Sequence, residues 1–452
     1  MKKLAYTILP FLFTLLISAE TPHVVLFVAD DLGWKDVGFH GSEIETPHID
    51  SLAREGMQLD RFYVQAICSP TRGALFSGKY PFNLGLQVDV IRPWDAYGLN
   101  LDEKILPQYF KQAGYATAIV GKWHLGLSKQ AFLPQNRGFD HQYGHYLGMI
   151  DYFSHDRLGG IDWHRNGILV QEEGYTTDLM ADEAVRVIEL HNAEQPLFLY
   201  MPFNAPHTPL QVTDKYEKKY AHIEDSSRRT FAGMVDCMDV AIGRVLAALE
   251  SQDMRNDTLI MFFSDNGGRI RFGANNGELR GGKKALFEGG IRVPTVIHWP
   301  GKLEGGKMVS EVIHVVDVLP TLAGIINQDV AAIDGINVLP ILKGKRQKRK
   351  EVPLHIAPDR AALLDGKWKL VIGADEPLDG VSLDEVHLFD VEADPFEHND
   401  LKDRHPKVVK KMMARIADYR AASVQPHGNA SNGESSVPEE FTLPKVWGPW
   451  LD

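Results

Sequence analysis

Cysteine is scarce in this chain, because only Cys68 and Cys237 occur among 452 residues. That count excludes a framework of several disulfides and leaves one bond between the two residues as the only pairing. Cys237, however, lies in a stretch whose apolar residues have helical spacing, residues 231–249, which favours a small thiol packed in the core. We therefore expect Cys68 to be unpaired.

Long apolar runs are also lacking, apart from one at the N-terminus. Met1-Lys2-Lys3 precede a run from Leu4 to Ile17, and Ser18-Ala19 follow it. This order of charged, apolar and small residues is typical of a secretory signal peptide. A membrane anchor is the alternative, but a spanning helix needs roughly 20 apolar residues and this run is shorter. We predict a signal peptide over residues 1–19 and an exported protein, periplasmic or secreted, with no stable membrane insertion.

Positive charge is in deficit, since 48 Lys and Arg residues stand against 60 Asp and Glu residues and give a net charge of −12. Such an excess opposes general attraction to a polyanion, so we expect no nucleic-acid partner. The remaining composition, 44% hydrophobic and 24% charged, is ordinary for a globular enzyme. An anionic substrate would have to meet cations placed locally.

Apolar runs alternate with helical patterns over most of the chain. Runs with the composition of buried strands occupy residues 23–29, 57–63, 116–120, 197–201 and 258–264. Helical patterns occupy residues 46–56, 106–113, 177–191 and 229–250. This alternation predicts an α/β fold with a large, mostly parallel sheet sandwiched by helices. In such sheets ligands bind at the carboxyl ends of the strands, where the polar clusters of this chain fall.

The pattern changes near residue 335, so we predict a main domain over residues 20–335 and a smaller C-terminal α+β subdomain over 336–452. The elements expected in the subdomain are a hairpin around Asp365-Gly366, a strand at 387–390, a helix at 406–420 and a loop-rich tail at 426–438. The charged stretch 343–350 is predicted to be a solvated loop, with a polyanion-binding edge as the alternative.

Two polar pairs follow predicted strands at the same edge of the sheet, Asp30-Asp31 and Asp265-Asn266. Hard cations such as Ca²⁺ take six to eight oxygen ligands, and three carboxylates with one amide oxygen would suit them. The alternative is that these residues only cap helices and turns, which is their commonest use. Together with the clusters below, the pairs favour a metal site.

Cys68 and Arg72 lie four residues apart in the string Cys68-Ser69-Pro70-Thr71-Arg72, ahead of a small-residue run. If this run begins a helix, Arg72 lies one turn from the thiol, where a guanidinium can hold an anion beside it. The spacing alone recurs by chance in many sequences. Its meaning depends on the rest of the chain.

Further candidate groups stand in loops after predicted strands. Lys122 and His124 project to the same side of an extended segment flanked by glycines, and His124 can exchange a proton near neutral pH. His207 lies between prolines on a rigid loop, which favours a working role over packing. Lys283 and Lys284 lie in a glycine-rich segment that allows close backbone approach to an oxyanion.

These motifs, taken in order over roughly residues 23–300, resemble those of the type I, formylglycine-dependent sulfatases of the alkaline phosphatase superfamily. The segments 148–155 and 273–276 are similar to the arylsulfatase B-like, N-acetylgalactosamine-4-sulfatase-like branch. The resemblance implies an alkaline phosphatase-like fold and sulfuric ester hydrolysis. It also implies that a maturation enzyme oxidises Cys68 to formylglycine, whose hydrate is the nucleophile.

The resemblance also implies a role for each matching residue. Asp30, Asp31, Asp265, Asn266 and the modified Cys68 would bind Ca²⁺. Arg72 and Lys122 would hold the formylglycine hydrate, and His124 would be the base that regenerates the aldehyde. His207 and Lys283 would contact the sulfate and the leaving oxygen. Lys283 is selected by counting five residues back from Glu288, and Lys284 is the alternative.

The expected substrate is a sulfated oligo- or polysaccharide, with glycosaminoglycan and carrageenan-like galactan both open. Trp94 and Trp163 offer aromatic faces suited to sugar rings, although they could equally pack in the core. Asp151, Ser154 and Lys284 are further candidates for substrate binding. Two other functions remain open at this point, a phosphodiesterase or phosphonate hydrolase of the same superfamily and a non-catalytic polysaccharide-binding protein.

Overall fold

The computed structural model describes residues 21–347, 349–373, 385–428 and 437–451. The predicted signal peptide lies outside the described residues, as does part of the predicted tail. Within the described ranges, no helix is both long enough and apolar enough to cross a membrane.

The strands form one large sheet and three small ones in the described part of the chain. In chain order they are β1 (His23–Ala29), β2 (Met57–Leu59), β3 (Phe62–Tyr63), β4 (Ala116–Val120), β5 (His141–Gly144), β6 (Asp156–Arg157), β7 (Gly160–Ile161), β8 (His164–Arg165), β9 (Ile168–Leu169), β10 (Leu197–Pro202), β11 (Thr258–Ser264), β12 (Thr295–His298), β13 (Lys307–Val309), β14 (Ile313–His314), β15 (Val352–Ile356), β16 (Ala361–Asp365), β17 (Trp368–Ile372) and β18 (Val386–Asp390).

The α-helices alternate with these strands. They are α1 (Pro47–Glu55), α2 (Cys68–Ser77), α3 (Leu106–Gln112), α4 (Thr176–Glu189), α5 (Asp214–Lys219), α6 (Ser226–Ser251), α7 (Glu288–Ile291), α8 (Val318–Ile325), α9 (Leu339–Leu342) and α10 (Pro406–Ala422). Helix α6 contains Cys237, which is buried and free, as is Cys68, so the predicted absence of a disulfide is confirmed.

The large sheet has the strand order β13-β2-β12-β11-β1-β10-β4-β5-β8-β9. Its five central strands, from β11 to β5, are parallel, and antiparallel strands flank them. The predicted α/β fold is therefore confirmed. The run predicted as one strand at 57–63 is divided, because β2 pairs within the large sheet whereas β3 pairs with β14.

Strand β1 shows why the sheet is buried on both faces. All seven of its residues are buried, and alternate side chains enter different cores: Val24 and Leu26 belong to one core, Val25 and Phe27 to the other. The first core is completed by residues of α2, α3 and α8, and the second by residues of α1, α4 and α6. The helices therefore cover both faces of the sheet, as predicted.

The C-terminal part contains the predicted antiparallel sheet, in the order β15-β16-β17-β18. Both faces of this sheet are buried: Leu363 joins the core beneath α10, while Leu364 packs in a third core with Leu286 and Phe287. This sheet therefore contacts the segment that follows Lys283. The domain boundary at residue 335 stays a prediction.

One residue of the charged stretch 343–350 departs from the predicted solvated loop. Arg349 forms an ion pair with the buried Asp317 and donates a hydrogen bond to the Tyr80 hydroxyl at 3.0 Å. The interpretation as a solvated loop is wrong at this position, because a buried carboxylate draws the guanidinium inward.

A buried ionic cluster joins the C-terminal sheet to the main domain. The Lys369 ammonium group, on β17, lies 2.9 Å from Glu288 and 2.8 Å from Glu397, and all three side chains are fully buried. Glu288 also accepts a hydrogen bond from the Tyr63 hydroxyl at 3.0 Å. Burial opposes ionisation of Glu288, but the Lys369 charge outweighs it and lowers the pKa of this carboxyl. Burial raises the pKa of Glu397 to about 7.

We expect Lys369→Met to destabilise the protein strongly, because it leaves the buried Glu397 without its cation and leaves Glu288 with only Arg292, at 3.5 Å. Breaking a buried ion pair costs about 3–5 kcal/mol. The free energy of unfolding, measured by chemical denaturation, is the test. Lys367→Met is the matched control, since Lys367 is half-exposed and its pair with Asp390 should contribute at most about 1 kcal/mol. Equal effects of the two substitutions would contradict this role of the cluster.

Candidate active site

Polar groups that follow four neighbouring strands meet at the carboxyl edge of the large sheet. The strand β1 lies between β10 and β11, and β4 lies next to β10. Backbone hydrogen bonds from Asp30 to Ala205 and from Asp265 to Ala29 extend this alignment past the strand ends. The segments that carry Asp30, Lys122, His207 and Asp265 therefore converge, as the sequence predicted.

Three buried carboxylates each have a cation of their own. The Lys122 ammonium group lies 2.6 Å from Asp30, and the Lys283 ammonium group lies 2.6 Å from Asp31. Arg72 donates to one oxygen of Asp265 through Nε at 3.1 Å and Nη2 at 2.8 Å. Each cation offsets the charge of its carboxylate in a buried site, where isolated charges would be costly.

The oxygen atoms of this cluster fit a hard cation. The Asn266 side chain donates through Nδ2 to Asp31 at 2.8 Å, whereas its Oδ1 atom is buried without a hydrogen-bond partner. Ligand atoms of Asp30, Asp31, Cys68 and His207 all lie within 4.8 Å of one another. Burial and the neighbouring Asp30 charge raise the pKa of Asp265. An unpartnered amide oxygen among crowded carboxylates is the donor set that Ca²⁺ prefers.

Cys68 lies in the middle of this cluster as the first residue of α2. Its Sγ atom lies 3.5 Å from Asp30 Oδ1 and 3.4 Å from the Lys283 ammonium group. Burial raises the pKa of the Cys68 thiol, with the Asp265 charge adding to the effect. The unmodified thiol is therefore a poor nucleophile near neutral pH, despite its position in the site.

Arg72 lies one turn along α2, as the sequence predicted, but its hydrogen bonds go elsewhere. The guanidinium donates to Asp265 and, through Nη1, to the Lys122 carbonyl oxygen at 3.2 Å. It thus links the ends of β11 and β4, which Asp265 and Lys122 follow. Its predicted role in holding the formylglycine hydrate stays a prediction.

His124 has one ring nitrogen free to accept a proton. Its Nε2 atom lies 3.1 Å from the Ile91 carbonyl oxygen and so carries the hydrogen, while the buried Nδ1 atom has no hydrogen-bond partner. Burial lowers the pKa of His124 well below its ordinary value. Gly148 is required beside the ring, because a Cβ atom there would lie 2.4 Å from it.

His207 is held in a fixed tautomer as well. Its Nδ1 atom lies 2.7 Å from the Thr208 carbonyl oxygen and donates to it, which leaves Nε2, 3.6 Å from Asp31, as the acceptor. Burial, with the Lys283 charge, lowers the pKa of His207 to about 3. The Tyr152 hydroxyl donates a hydrogen bond to the His207 carbonyl oxygen at 2.8 Å and so helps to hold this loop.

The two adjacent lysines occupy different places. Lys283 reaches both Asp31 and the Cys68 thiol, as described above. Lys284 has a left-handed backbone conformation, with φ of 77°, and lines the cavity outside the cluster. The backbone thus turns between the two residues, so that Lys283 is the one in contact with the thiol.

A cavity of about 570 Å³ opens onto these groups, a size typical of small-ligand sites. Cys68, His124, His207 and Lys283 all line it, and so does Trp94, one of the predicted sugar-binding aromatics.

The structure does not bring every predicted substrate residue to this cavity. Trp163 is fully buried in the core, and its indole N–H donates a hydrogen bond to Glu172 at 2.7 Å, so its ring lines neither cavity. Asp151 lines a neighbouring cavity of about 400 Å³ and accepts hydrogen bonds from Ser154 and Gln211. Ser154 itself is exposed and lines neither cavity.

Sequence reasoning missed several residues that line the main cavity, namely Ile91, Met149, Arg157, Arg269 and Arg271. Arg157 lies in a hairpin of two-residue strands, which are too short for a periodic signal. Arg269 and Arg271 directly follow the Asp265-Asn266-Gly267-Gly268 motif, and this proximity was the one signal that could have found them.

Comparison with known proteins agrees with this geometry. The sulfatase family model matches residues 22–327, and the model described as N-sulphoglucosamine sulphohydrolase, C-terminal, matches residues 281–422. Mouse arylsulfatase J is 34% identical, covering 96% of this chain and 81% of that protein. Human N-acetylgalactosamine-6-sulfatase is 32% identical, covering 74% of this chain and 68% of that protein.

A solved structure shows the same similarity. The crystal structure of Ps i-CgsB in complex with k-i-k-neocarrahexaose has a TM-score of 0.83 at 32% identity, covering 90% of this chain and 94% of that chain. The family match extends over more than half of the chain, and the mouse and human relatives are both named as sulfatases. This chain belongs to the sulfatase family and is a sulfuric ester hydrolase.

Proposed function

We propose that this enzyme removes sulfate from a sulfated carbohydrate with a formylglycine made from Cys68 and with Ca²⁺ bound beside it, after export from the cytoplasm. The observation that carries the proposal is the position of Cys68, an unpaired thiol buried between Asp30 and Lys283 at the end of a substrate-sized cavity. The carbohydrate class is supported by the relatives, which include an N-acetylgalactosamine-6-sulfatase and a protein bound to neocarrahexaose.

Oxidation of Cys68 to formylglycine would explain how an unreactive thiol can occupy the position of the nucleophile. Burial raises the pKa of this thiol, so an unmodified Cys68 would rarely be a thiolate at neutral pH. The hydrated formylglycine would supply a hydroxyl group as the nucleophile that attacks sulfur. The conversion requires a formylglycine-generating maturation enzyme.

The cation would be held by oxygen atoms of Asp30, Asp31, Asp265 and Asn266, next to residue 68. When bound, Ca²⁺ would supply positive charge that stabilises the sulfate oxygens. Lys122, Lys283 and Arg72 already fix the carboxylates in place, so the site is organised before substrate enters.

The two histidines are suited to opposite proton transfers. His207 faces the cavity through Nε2, and an incoming sulfate ester would favour its protonated form, which then donates to the departing alcohol oxygen with the aid of Lys283. His124 keeps Nδ1 as a free acceptor and would take the proton when the aldehyde is restored.

We expect Cys68→Ala to lower kcat for an aryl sulfate by at least about 10³-fold, because loss of a nucleophile removes the covalent route. Steady-state hydrolysis of 4-nitrophenyl sulfate is the measurement. Cys237→Ala is the matched control, since Cys237 is also a buried free cysteine but lies in α6, away from the cavity. A Cys68→Ala enzyme that keeps most of its activity would rule out this mechanism.

Calcium should stabilise the folded enzyme measurably. A ligand bound only by the native state at 100 times its Kd adds about 2.7 kcal/mol, so the Tm of EDTA-treated protein should rise when Ca²⁺ is restored. Asn266→Leu removes the unpartnered amide oxygen and should weaken or abolish this rise. Asn192→Leu, at an exposed loop position, should respond like the unsubstituted enzyme. A rise of the same size in the Asn266 variant would exclude Asn266 as a ligand.

A further inference from the structure

The cavity carries more positive charge than a single sulfate ester requires. Besides Lys283, its lining includes Arg157, Arg269 and Arg271. Asp89 is the one acidic side chain among the lining residues that the structure describes, and it forms an ion pair with Arg92 at 2.6 Å. Since the whole chain has a net charge of −12, this concentration of cations is local to the cavity.

Arg157 is the most unusual of these cations. Its Nε and Nη1 atoms are buried and have no hydrogen-bond partner. Asp162 acts on it electrostatically, but burial outweighs this attraction and lowers the pKa of Arg157. The Asp162 oxygens are already engaged, because they accept the amide hydrogens of Tyr146 at 3.0 Å and Leu147 at 2.8 Å. Buried guanidinium N–H groups without acceptors are costly, and an oxyanion is their natural partner.

The backbone that carries Arg157 is held in place by the C-terminal segment. The fully buried Trp447 donates its indole N–H to the Arg157 carbonyl oxygen at 2.7 Å. Val446 pairs with Ile161 on the other arm of the hairpin. Because two contacts fix this hairpin, the backbone that carries Arg157 to the cavity is ordered before substrate binds, which reduces the entropy lost on binding.

We propose that Arg157 binds a second anionic group of the substrate, a sulfate ester or a carboxylate on the same sugar or on its neighbour. This inference rests on the proposed function, since it concerns the carbohydrate that carries the scissile sulfate. The guanidinium fork presents parallel N–H groups that match either oxyanion. The enzyme therefore selects saccharides with at least two negative charges over those with an isolated sulfate ester.

The test compares three disaccharides with Arg157→Gln and the unsubstituted enzyme. One disaccharide carries two sulfate esters, one carries a sulfate ester and a uronate carboxylate, and one carries a single sulfate ester with no carboxylate. Loss of a charge-assisted contact should lower kcat/KM about 10- to 100-fold more for a doubly charged disaccharide than for the singly charged one, mainly through KM. The doubly charged disaccharide whose kcat/KM falls more in Arg157→Gln shows whether the second anion is a sulfate ester or a carboxylate.

Equal loss factors for all three disaccharides would overturn the inference. Failure of the proposed function would give a different result, because the unsubstituted enzyme would then hydrolyse none of the three disaccharides. In that event, calorimetric binding of the doubly charged probes to Cys68→Ala, with and without Arg157→Gln, decides the matter. Weaker binding in the double variant supports the inference, and unchanged or absent binding overturns it.

A thermal measurement separates substrate binding from a structural role. Arg157→Gln should leave the Tm of the free enzyme unchanged or raise it, because it removes buried N–H groups that have no acceptor. The rise in Tm caused by the doubly charged probe should shrink. Arg54→Gln, at an exposed position on α1, is the control and should change neither value. A lower Tm for free Arg157→Gln than for this control would mean that Arg157 stabilises the fold and would overturn the proposal.

Discussion

The balance of three buried carboxylates against three buried cations is the constraint on which this site depends. Asp30, Asp31 and Asp265 are paired with Lys122, Lys283 and Arg72, and these charges largely cancel. A divalent cation added among the carboxylates would leave an excess of positive charge. A sulfate ester is an anion, so the site would attract it as soon as the cation is bound.

Two parts of the fold bring these charged groups together. Parallel strands bring Asp30, Lys122 and Asp265 to one edge, while Lys283 arrives from a segment outside the sheet. The C-terminal sheet holds that segment through the buried contact between Lys369 and Glu288, five residues beyond Lys283. The C-terminal sheet therefore helps to position Lys283, although it contributes no group to the cluster itself.

Much of this arrangement could be predicted from sequence, since the carboxyl ends of parallel strands converge whatever the details of packing. The assignment of Lys283 over Lys284 depended on motif spacing, and the structure explains it by the left-handed backbone at Lys284. Trp163 could not be placed, because whether an aromatic ring faces a cavity or the core depends on tertiary packing. The position of Arg157 at the cavity could not be predicted, because its hairpin is fixed by Trp447, which is distant in the sequence.

Conversion of Cys68 is tested most directly by mass spectrometry of the purified, active enzyme. Trypsin should release residues 62–72, which contain Cys68, and residues 230–244, which contain Cys237 and serve as the internal control. Formylglycine in place of cysteine lowers the mass of the first peptide by about 18 daltons and leaves the second unchanged. An active enzyme whose first peptide has the mass of unmodified cysteine would contradict the proposed nucleophile.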